Sequence, residues 1–468
     1  MWAAAAGLLT LLPNVSASPF AGDYDSQRLL ELAACTVLVV AVTASPSVRA
    51  SWLSVWSRVP AWAAAVASGV GALGVASATV APRPVYAFSE VAMFAAMAVG
   101  VVAVASAGRS RAGLGLVAVV TLGGYAASVL PFHIADLACG AAEVWPRRHL
   151  GFGNVRQVNH MQVWLLPLVW ALAASSTGWK RTCLRAVGAA TVALMVATNG
   201  RGILVALPVG LAVAGLTVRA GRRALLREVA VTAVLGVAAW AVLFGGTATV
   251  LDRTEVGLNG RGELWFGALR MVAEHPWLGV GPMHFVYAPS LFGAHPHNLA
   301  LQIAAEWGVP AALLAVALVL GAGAGWLRHA RYASAPDALW TAGLTAAFAG
   351  ALVYSCIDGI LIAPVSQIIA VLVLGALLAD VLPDAPRRTA QHASWRDLAL
   401  AGVALPALAV LLAVVASDGP TLARRSYDLR ASQVSSYGLP RFWSTGQIAG
   451  RLPPEQARRW PEVSGTRR

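Results

Sequence analysis

The stretch GAHPHNLALQIAAEWG (293–308) holds two histidines one residue apart, and an apolar run follows them. Pro296 cannot lie inside a helix but suits a first turn, so the pattern predicts a helix that begins here. His297 and Asn298 would then lie at the N-terminal end of this helix. A neutral imidazole there can take a proton from an incoming hydroxyl group, while a helix N-terminus attracts anions. The pattern therefore predicts acid–base chemistry beside a bound anion.

Two arginines are candidates for binding that anion. Arg261 begins a predicted amphipathic helix, and Arg201 follows a tight turn (TNG) and begins an apolar helix, where a cation without a role is unfavourable. Guanidinium groups match the oxygens of phosphate, so we expect both arginines to lie at the level of His297. For any single one of the arginines in the outward loops, solvated charge or contact with lipid headgroups is the simpler explanation: Arg147, Arg148, Arg156, Arg253, Arg261 and Arg270.

The His-x-His spacing also occurs in metal sites. Zinc needs three or four ligands in a fixed arrangement, and only His284, Glu274 and Glu306 lie nearby in the sequence, at no recognised spacing. We therefore expect no metal and no cofactor. A purely structural role, in which His295 and His297 cap a helix, stays open.

The chain that carries these residues is strongly apolar. Of its 468 residues, 58% are hydrophobic and 12% are charged, whereas soluble domains have roughly 25% charged residues. Apolar runs near the length of a membrane span recur, which predicts an all-α, polytopic transmembrane protein with about 12 or 13 spans. The predicted spans are 2–13, 28–44, 60–80, 85–107, 113–132, 158–175, 183–198, 201–217, 227–245, 298–326, 338–356, 360–381 and 398–416. The net charge of +13 lies in short clusters between these runs, so we expect no nucleic-acid partner.

Those basic clusters give the predicted orientation. They occupy every second loop without a break, which by the positive-inside rule makes those loops cytoplasmic. Ionisable and amide side chains within spans are costly in lipid and usually functional. Here they fall near the opposite, outward ends of the spans: Glu31, Glu90, Asn159, His160, Arg201, Glu306 and Asp358. The sequence therefore predicts a site at the outer face of the membrane.

The chain divides into four predicted regions. Residues 1–245 and 298–417 form two sets of membrane helices, 246–297 form the single long outer loop, and 418–468 form a basic outer tail. Within the loop, RGELWFGALRMVAEHP (261–276) has the apolar spacing of an amphipathic helix that lies on the membrane surface. Long ordered loops are usually functional, so we expect this loop to carry part of the site.

Two stretches, GRGELWFGALRMVAEHPWLGVGPMHF (260–285) and HPHNLALQIAAEWGVPAALL (295–314), resemble the signature region of the O-antigen ligase family. NGRG (199–202), the number of spans and the single long loop extend the resemblance over most of the chain. The resemblance implies a GT-C-type glycosyltransferase of the bacterial inner membrane with its site facing the periplasm. Such an enzyme moves a glycan from undecaprenyl diphosphate to an acceptor hydroxyl group, here expected on lipid A-core, with inversion at the anomeric carbon and without a metal.

The resemblance also implies roles for particular residues. His297 resembles the family's catalytic histidine, Arg261 resembles the loop arginine that engages the donor diphosphate, and Arg201 resembles a second arginine with that role. Glu306 matches the motif's glutamate, in a supporting role. Met283 departs from the motif, because glycine is common at its place. The candidate substrate-binding residues near the same face are Asn298, His295, Glu306, Arg147, Arg148, Arg156 and His160.

The acceptor stays open at this point. FGNVRQVNHMQVWLLP (152–167) and DGILIAPVSQ (358–367) are also similar to protein O-oligosaccharyltransferases. An O-antigen polymerase, which extends the lipid-linked glycan, shares the same layout. A polysaccharide transporter is a more distant alternative, because transporters usually show internal repeats and polar sites at mid-membrane. The expected partners are thus the undecaprenyl-diphosphate-linked glycan, lipid A-core or a protein as acceptor, and membrane lipids.

Overall fold

The computed structural model describes residues 2–11, 23–108, 110–140, 152, 156–245, 261–287, 294–382, 395–431 and 442–443. Within these residues there are sixteen α-helices and a short 3-10 helix, and no strand, which confirms the all-α prediction. The helices are α1 (Trp2–Leu11), α2 (Asp23–Ala44), α3 (Pro46–Trp56), α4 (Ala61–Val80), α5 (Pro84–Ser106), α6 (Arg111–Ala138), α7 (Arg156–Ser175), α8 (Gly178–Ala197), α9 (Arg201–Thr217), α10 (Arg222–Phe244), α11 (Arg261–Glu274), the 3-10 helix His284–Tyr287, α12 (Leu299–Trp307), α13 (Val309–Arg331), α14 (Ala335–Ser355), α15 (Pro364–Val381) and α16 (Trp395–Ala431).

Many of these helices can cross a membrane, so the chain is a multi-pass membrane protein. Within the described residues, nine helical segments are long and apolar enough: Tyr24–Ala44, Ala61–Val80, Pro84–Ser106, Arg111–Ala138, Arg222–Phe244, Val309–Arg331, Ala335–Ser355, Pro364–Val381 and Leu400–Leu422. α9 is apolar but shorter. Helices suit this setting because lipid cannot hydrogen-bond an open backbone. The count of about 12 or 13 spans and the GT-C assignment stay predictions.

Local sequence signals fix several helix ends. The Ser110 side chain accepts a hydrogen bond from the Gly113 N–H group at 3.1 Å and caps α6. Pro46 and Pro364 lie in the first turns of α3 and α15, where a missing N–H group costs nothing. These ends need no tertiary contact to be specified.

The prediction of one continuous span over 298–326 is wrong. α12 ends at Trp307, the chain turns at Gly308, and α13 begins at Val309. Gly308 has a φ of +91°, which only glycine adopts readily, and an added Cβ atom there would lie 2.1 Å from the carbonyl oxygen of Trp277. The backbone at Trp277 therefore passes so close to the turn between α12 and α13 that only glycine fits at position 308.

The first of two structural units comprises residues 1–18, 104–256 and 323–383. α7 is buried along almost its whole length, and α8, α9, α14 and α15 pack against it. α9 and α14 approach each other closely, because a Cβ atom on Gly210 would lie 2.3 Å from the carbonyl oxygen of Ala346. Small residues at such contacts let helix backbones pack tightly in lipid.

The second unit comprises residues 19–103, 257–322 and 384–468, and it holds α2, α3, α4, α11, α12 and α16. α12 packs on α4, where the Ser77 hydroxyl group donates a hydrogen bond to the carbonyl oxygen of Glu306 at 2.8 Å. This contact joins the second half of α12 to α4, a helix of the same unit that is long and apolar enough to span a membrane.

Part of the predicted basic tail packs within this second unit. α16 continues past residue 417 and ends at Ala431, and most of the residues beyond it lie outside those described. Phe442 and Trp443 are both buried. The Trp443 indole N–H group donates to a carboxylate oxygen of Asp418 at 2.9 Å, and the Arg28 Nε–H group donates to the carbonyl oxygen of Phe442 at 3.1 Å.

Candidate functional site

α11, the helix predicted in the long loop, packs against α12, the helix that follows the HPHN motif. α11 begins at Arg261, as the spacing predicted, and α12 follows Asn298, whose side chain accepts a hydrogen bond from the Leu301 N–H group at 3.0 Å. Asn298 is therefore the N-cap of α12. Pro296 lies before this cap rather than in the first helical turn, and His297 immediately precedes the cap.

α11 and α12 lie side by side and run in the same direction. At their starting ends, the Trp265 indole N–H group donates to the carbonyl oxygen of Pro296 at 2.9 Å. At the other ends, the Val309 N–H group donates to the carbonyl oxygen of Pro276 at 2.8 Å. Buried apolar side chains fill the space between: Leu264, Ala268, Met271, Val280, Phe285 and Ala305. The N-termini of α11 and α12 therefore lie next to each other, at the same end of the helix pair.

This shared N-terminal end can bind an anion. The first N–H groups of each helix have no partner within the helix, and the two helix dipoles are positive at this end. Arg261 adds a guanidinium group to it. The Nε atom of Arg261 is buried and has no hydrogen-bond partner among the described residues.

The two histidines of the HPHN motif are in contact. Their ring centroids are 4.1 Å apart, and the His297 backbone N–H group donates to Nδ1 of His295 at 3.1 Å. His297 has a φ of +52°, a conformation that costs a non-glycine residue roughly 1 kcal/mol. His295 is buried and His297 half-buried. The buried ring of His295 thus holds the backbone that presents the more accessible ring of His297.

Glu306 lies near the C-terminal end of α12. It binds the segment between α11 and the HPHN motif. It is fully buried, and its carboxylate accepts a hydrogen bond from the Phe285 N–H group at 2.8 Å. Its backbone carbonyl accepts from the Gly281 N–H group at 2.9 Å. These contacts hold the turn, and a supporting role of Glu306 in the reaction stays a prediction.

His284 also holds this turn, and the sequence suggested it only as an unlikely metal ligand. It is fully buried. Its Nε2 atom accepts from the Arg83 N–H group at 3.1 Å, so Nδ1 carries the proton in the contact with the carbonyl oxygen of Pro282 at 2.7 Å. These partners are backbone groups, which leave no recognisable pattern in the sequence.

A second polar cluster lies in the first unit. His160 Nε2 is 3.9 Å from a carboxylate oxygen of Asp358, and the His160 ring makes an edge contact with the Tyr354 ring at 5.4 Å between centroids. The Tyr354 hydroxyl group donates to the other carboxylate oxygen of Asp358 at 3.4 Å. His160 and Asp358, both singled out in the sequence as polar residues at outward span ends, are therefore brought together.

Arg201 follows a turn that is tied to the same part of α7. The Asn159 side-chain NH₂ group donates to the Thr198 hydroxyl group at 2.8 Å. An added Cβ atom on Gly200 would lie 2.2 Å from Oδ1 of Asn159, so the turn before Arg201 requires glycine here. Arg201 itself is exposed at the start of α9.

The remaining predicted residues are distributed as follows. Arg156 is half-buried at the first position of α7, and Arg147 and Arg148 lie outside the described residues. Arg261 and His297 belong to the second unit and Arg201 to the first, and the convergence of all three stays a prediction. In the described part of the chain, no three His, Cys, Asp or Glu side chains are grouped so that they could hold a metal ion.

Part of the chain, including this region, is similar in sequence to known proteins. Residues 186–316 match the sequence model of a family described as O-Antigen ligase. A stretch of 77 residues is 40% identical to the O-antigen ligase of Pseudomonas aeruginosa, and it covers 16% of this chain and 19% of that protein. The stretch matched by the family model contains Arg201, Arg261 and His297. The chain is thus similar to the O-antigen ligase family over residues 186–316, and it spans about a fifth of the length of the Pseudomonas aeruginosa relative that it matches.

Proposed function

We propose that this protein transfers a glycan from undecaprenyl diphosphate to a hydroxyl group of lipid A-core at the periplasmic face of the bacterial inner membrane. The observation that carries the proposal is the shared N-terminal end of α11 and α12, where Arg261 and His297 lie at the starts of two parallel helices held together by the Trp265–Pro296 hydrogen bond. The similarity of residues 186–316 to the O-antigen ligase family supports the glycosyltransferase class.

The donor diphosphate is the anion that this end would bind. Its leaving oxygens gain negative charge as the bond to the sugar breaks, and fixed positive dipoles and guanidinium groups stabilise that charge most in the transition state. Arg261 lies beside the two helix N-termini, and we place Arg201 on the same diphosphate. These groups together would replace a divalent cation, so the proposed reaction needs no metal.

His297 would act on the acceptor. The acceptor oxygen attacks the anomeric carbon, the bond from that carbon to the diphosphate oxygen breaks, and the imidazole takes the hydroxyl proton. A single displacement of this kind inverts the anomeric centre. We assign His295 and Asn298 to holding His297 and the start of α12, and His160 with Arg156 to binding the sugar or the acceptor from the first unit.

The Trp265–Pro296 hydrogen bond gives a direct test of this arrangement. Trp265→Phe keeps the ring and removes the N–H donor, so α11 loses its polar contact with the loop that carries His297. We expect kcat for transfer to fall about fivefold, since one such hydrogen bond contributes about 1 kcal/mol. Trp277→Phe is the matched control, because Trp277 is exposed. Equal activity of the two variants would contradict the assignment.

Reconstitution tests the function itself. The purified protein is placed in liposomes with an undecaprenyl-diphosphate-linked glycan, and lipid A-core or a candidate glycoprotein is offered separately. We expect glycan on lipid A-core. Glycan on the protein alone would instead indicate a protein O-oligosaccharyltransferase, and longer lipid-linked chains a polymerase. Movement of the intact lipid-linked glycan across the bilayer without transfer would indicate a transporter.

The same assay tests the proposed independence from metal. With EDTA in excess over trace divalent cations, we expect the transfer rate to stay unchanged, because arginines and helix N-termini supply the positive charge. A rate that falls with EDTA and returns when Mg²⁺ or Mn²⁺ is added would overturn this part of the proposal.

A further inference from the structure

Glu90 is a buried carboxylate that the proposed mechanism does not use. It lies on α5 and is 6% exposed. One carboxylate oxygen accepts hydrogen bonds from the Met283 backbone N–H group at 3.1 Å and from the Trp307 indole N–H group at 3.4 Å. The other accepts from the Gln302 side-chain NH₂ group at 3.5 Å. A single side chain of α5 therefore binds both α12 and the turn that precedes the HPHN motif.

The turn needs such a partner because of its backbone conformation. Met283 has a φ of +65°, in the left-handed region, which is strained for a residue with a Cβ atom. Glycine would adopt this conformation without that strain. Glu90 holds the strained residue by its N–H group, two residues before the Phe285 N–H group that Glu306 holds.

α12 transmits small movements of its far end to His297. It is a short helix of 9 residues, about 13 Å long at 1.5 Å per residue, so a tilt of roughly five degrees moves its start by about 1 Å. Gln302 and Trp307 lie in the middle and at the end of this helix. Their contacts with Glu90 therefore oppose the tilt that would displace the residues before Asn298.

We propose that Glu90 is a positioning residue for glycan transfer: from α5, it fixes the tilt of α12 and thereby the place of the His297 imidazole. The inference rests on the proposed function and adds to it a residue that touches neither substrate. Glu90 acts through Met283, Gln302 and Trp307.

Two substitutions separate the hydrogen bonds of Glu90 from its bulk. Glu90→Leu keeps a similar size and removes every acceptor. Glu90→Gln keeps one oxygen for Met283 and Trp307, and its NH₂ group faces Gln302, whose amide can turn to present its own oxygen. We expect kcat to fall about 10- to 100-fold in Glu90→Leu, as for a misplacement of about 1 Å. The donor KM should change less than about twofold, and Glu90→Gln should stay within about threefold of the natural protein.

Hydrogen–deuterium exchange gives a readout that does not depend on glycan transfer. The amides of residues 281–285 should exchange faster in Glu90→Leu but not in Glu90→Gln, because only the first loses the acceptor for Met283. If the natural protein transfers no glycan, the proposed function fails while exchange still tests the role of Glu90 in the turn.

Glu228→Leu is the control, since it removes a buried carboxylate from α10 whose partner is Arg185. It should change neither the exchange at 281–285 nor kcat. Trp307→Phe and Gln302→Met each remove one hydrogen-bond donor to Glu90. They replace Glu90→Leu as test variants if that protein is not monodisperse. We expect each to lower kcat about threefold. Normal kcat in Glu90→Leu, or in both of these variants, would overturn the proposal. So would a Glu90→Gln protein as impaired as Glu90→Leu.

Discussion

Replacing His297 by alanine is expected to lower kcat for glycan transfer by about a thousandfold, within the range of 10²–10⁴ that general bases contribute. The loss follows from removal of the only imidazole that the described site presents at the accessible end of α12, since the neighbouring His295 is buried. Donor binding should be nearly unchanged, because the diphosphate is assigned to Arg261 and the helix ends. Single-turnover transfer and a separate donor-binding assay measure the two effects.

Two companion variants make this result specific. His297→Asn keeps a residue that tolerates the φ of +52° at this position, so a loss equal to that of His297→Ala assigns the effect to the imidazole rather than to the backbone. His275→Ala removes an exposed histidine just beyond the opposite end of α11 and should leave kcat unchanged. A His297→Asn protein that retains more than about a tenth of the activity would discard the assignment of a base.

Arg261→Ala is expected to weaken donor binding about 10- to 100-fold, since a hydrogen bond to a charged group contributes about 1.5–3 kcal/mol. The loss in kcat/KM should be larger still, because the same guanidinium group would stabilise the diphosphate as it leaves. Arg261→Lys should be intermediate, because lysine keeps the charge but not the paired donors.

Arg270 offers a matched control on the same helix. It is exposed, and its guanidinium carbon lies 6.0 Å from the centroid of the Phe266 ring, in the second half of α11. Arg270→Ala should leave donor affinity unchanged at moderate ionic strength. If the two alanine variants weakened binding equally, the arginines would contribute only general charge, and the diphosphate site at the helix ends would be excluded.

Much of the local structure of the site could be predicted from the sequence, because local signals specify it. The apolar spacing after Arg261 predicted α11, and the small polar side chain of Asn298 before an apolar run is typical of a helix N-cap. Met283 was recognised as a departure from the usual glycine. The structure shows that it keeps the backbone conformation that glycine would adopt.

The arrangement of the helices could not be predicted, because it depends on contacts between distant residues. One contact that holds α11 parallel to α12 is the hydrogen bond from Trp265 to the carbonyl oxygen of Pro296, and a backbone oxygen leaves no trace in a sequence pattern. Glu90 was visible as a charge near a span end, but one of its partners is the backbone N–H group of Met283, which a sequence pattern does not show. The break at Gly308 was missed for a similar reason, since the apolar pattern continues through it.

The hydrogen bond between Arg28 and Phe442 joins residues that are 414 positions apart. Ribosomes make chains from the N-terminus, so α2 is synthesised long before its partner. Glu31, one turn further along α2, forms an ion pair with Arg28 and can compensate its charge as soon as the helix forms. The second unit can nevertheless reach its final packing only after residue 443 has been translated. A chain shortened by a premature stop codon before residue 442 would therefore leave the Arg28 Nε–H group on α2 without this acceptor.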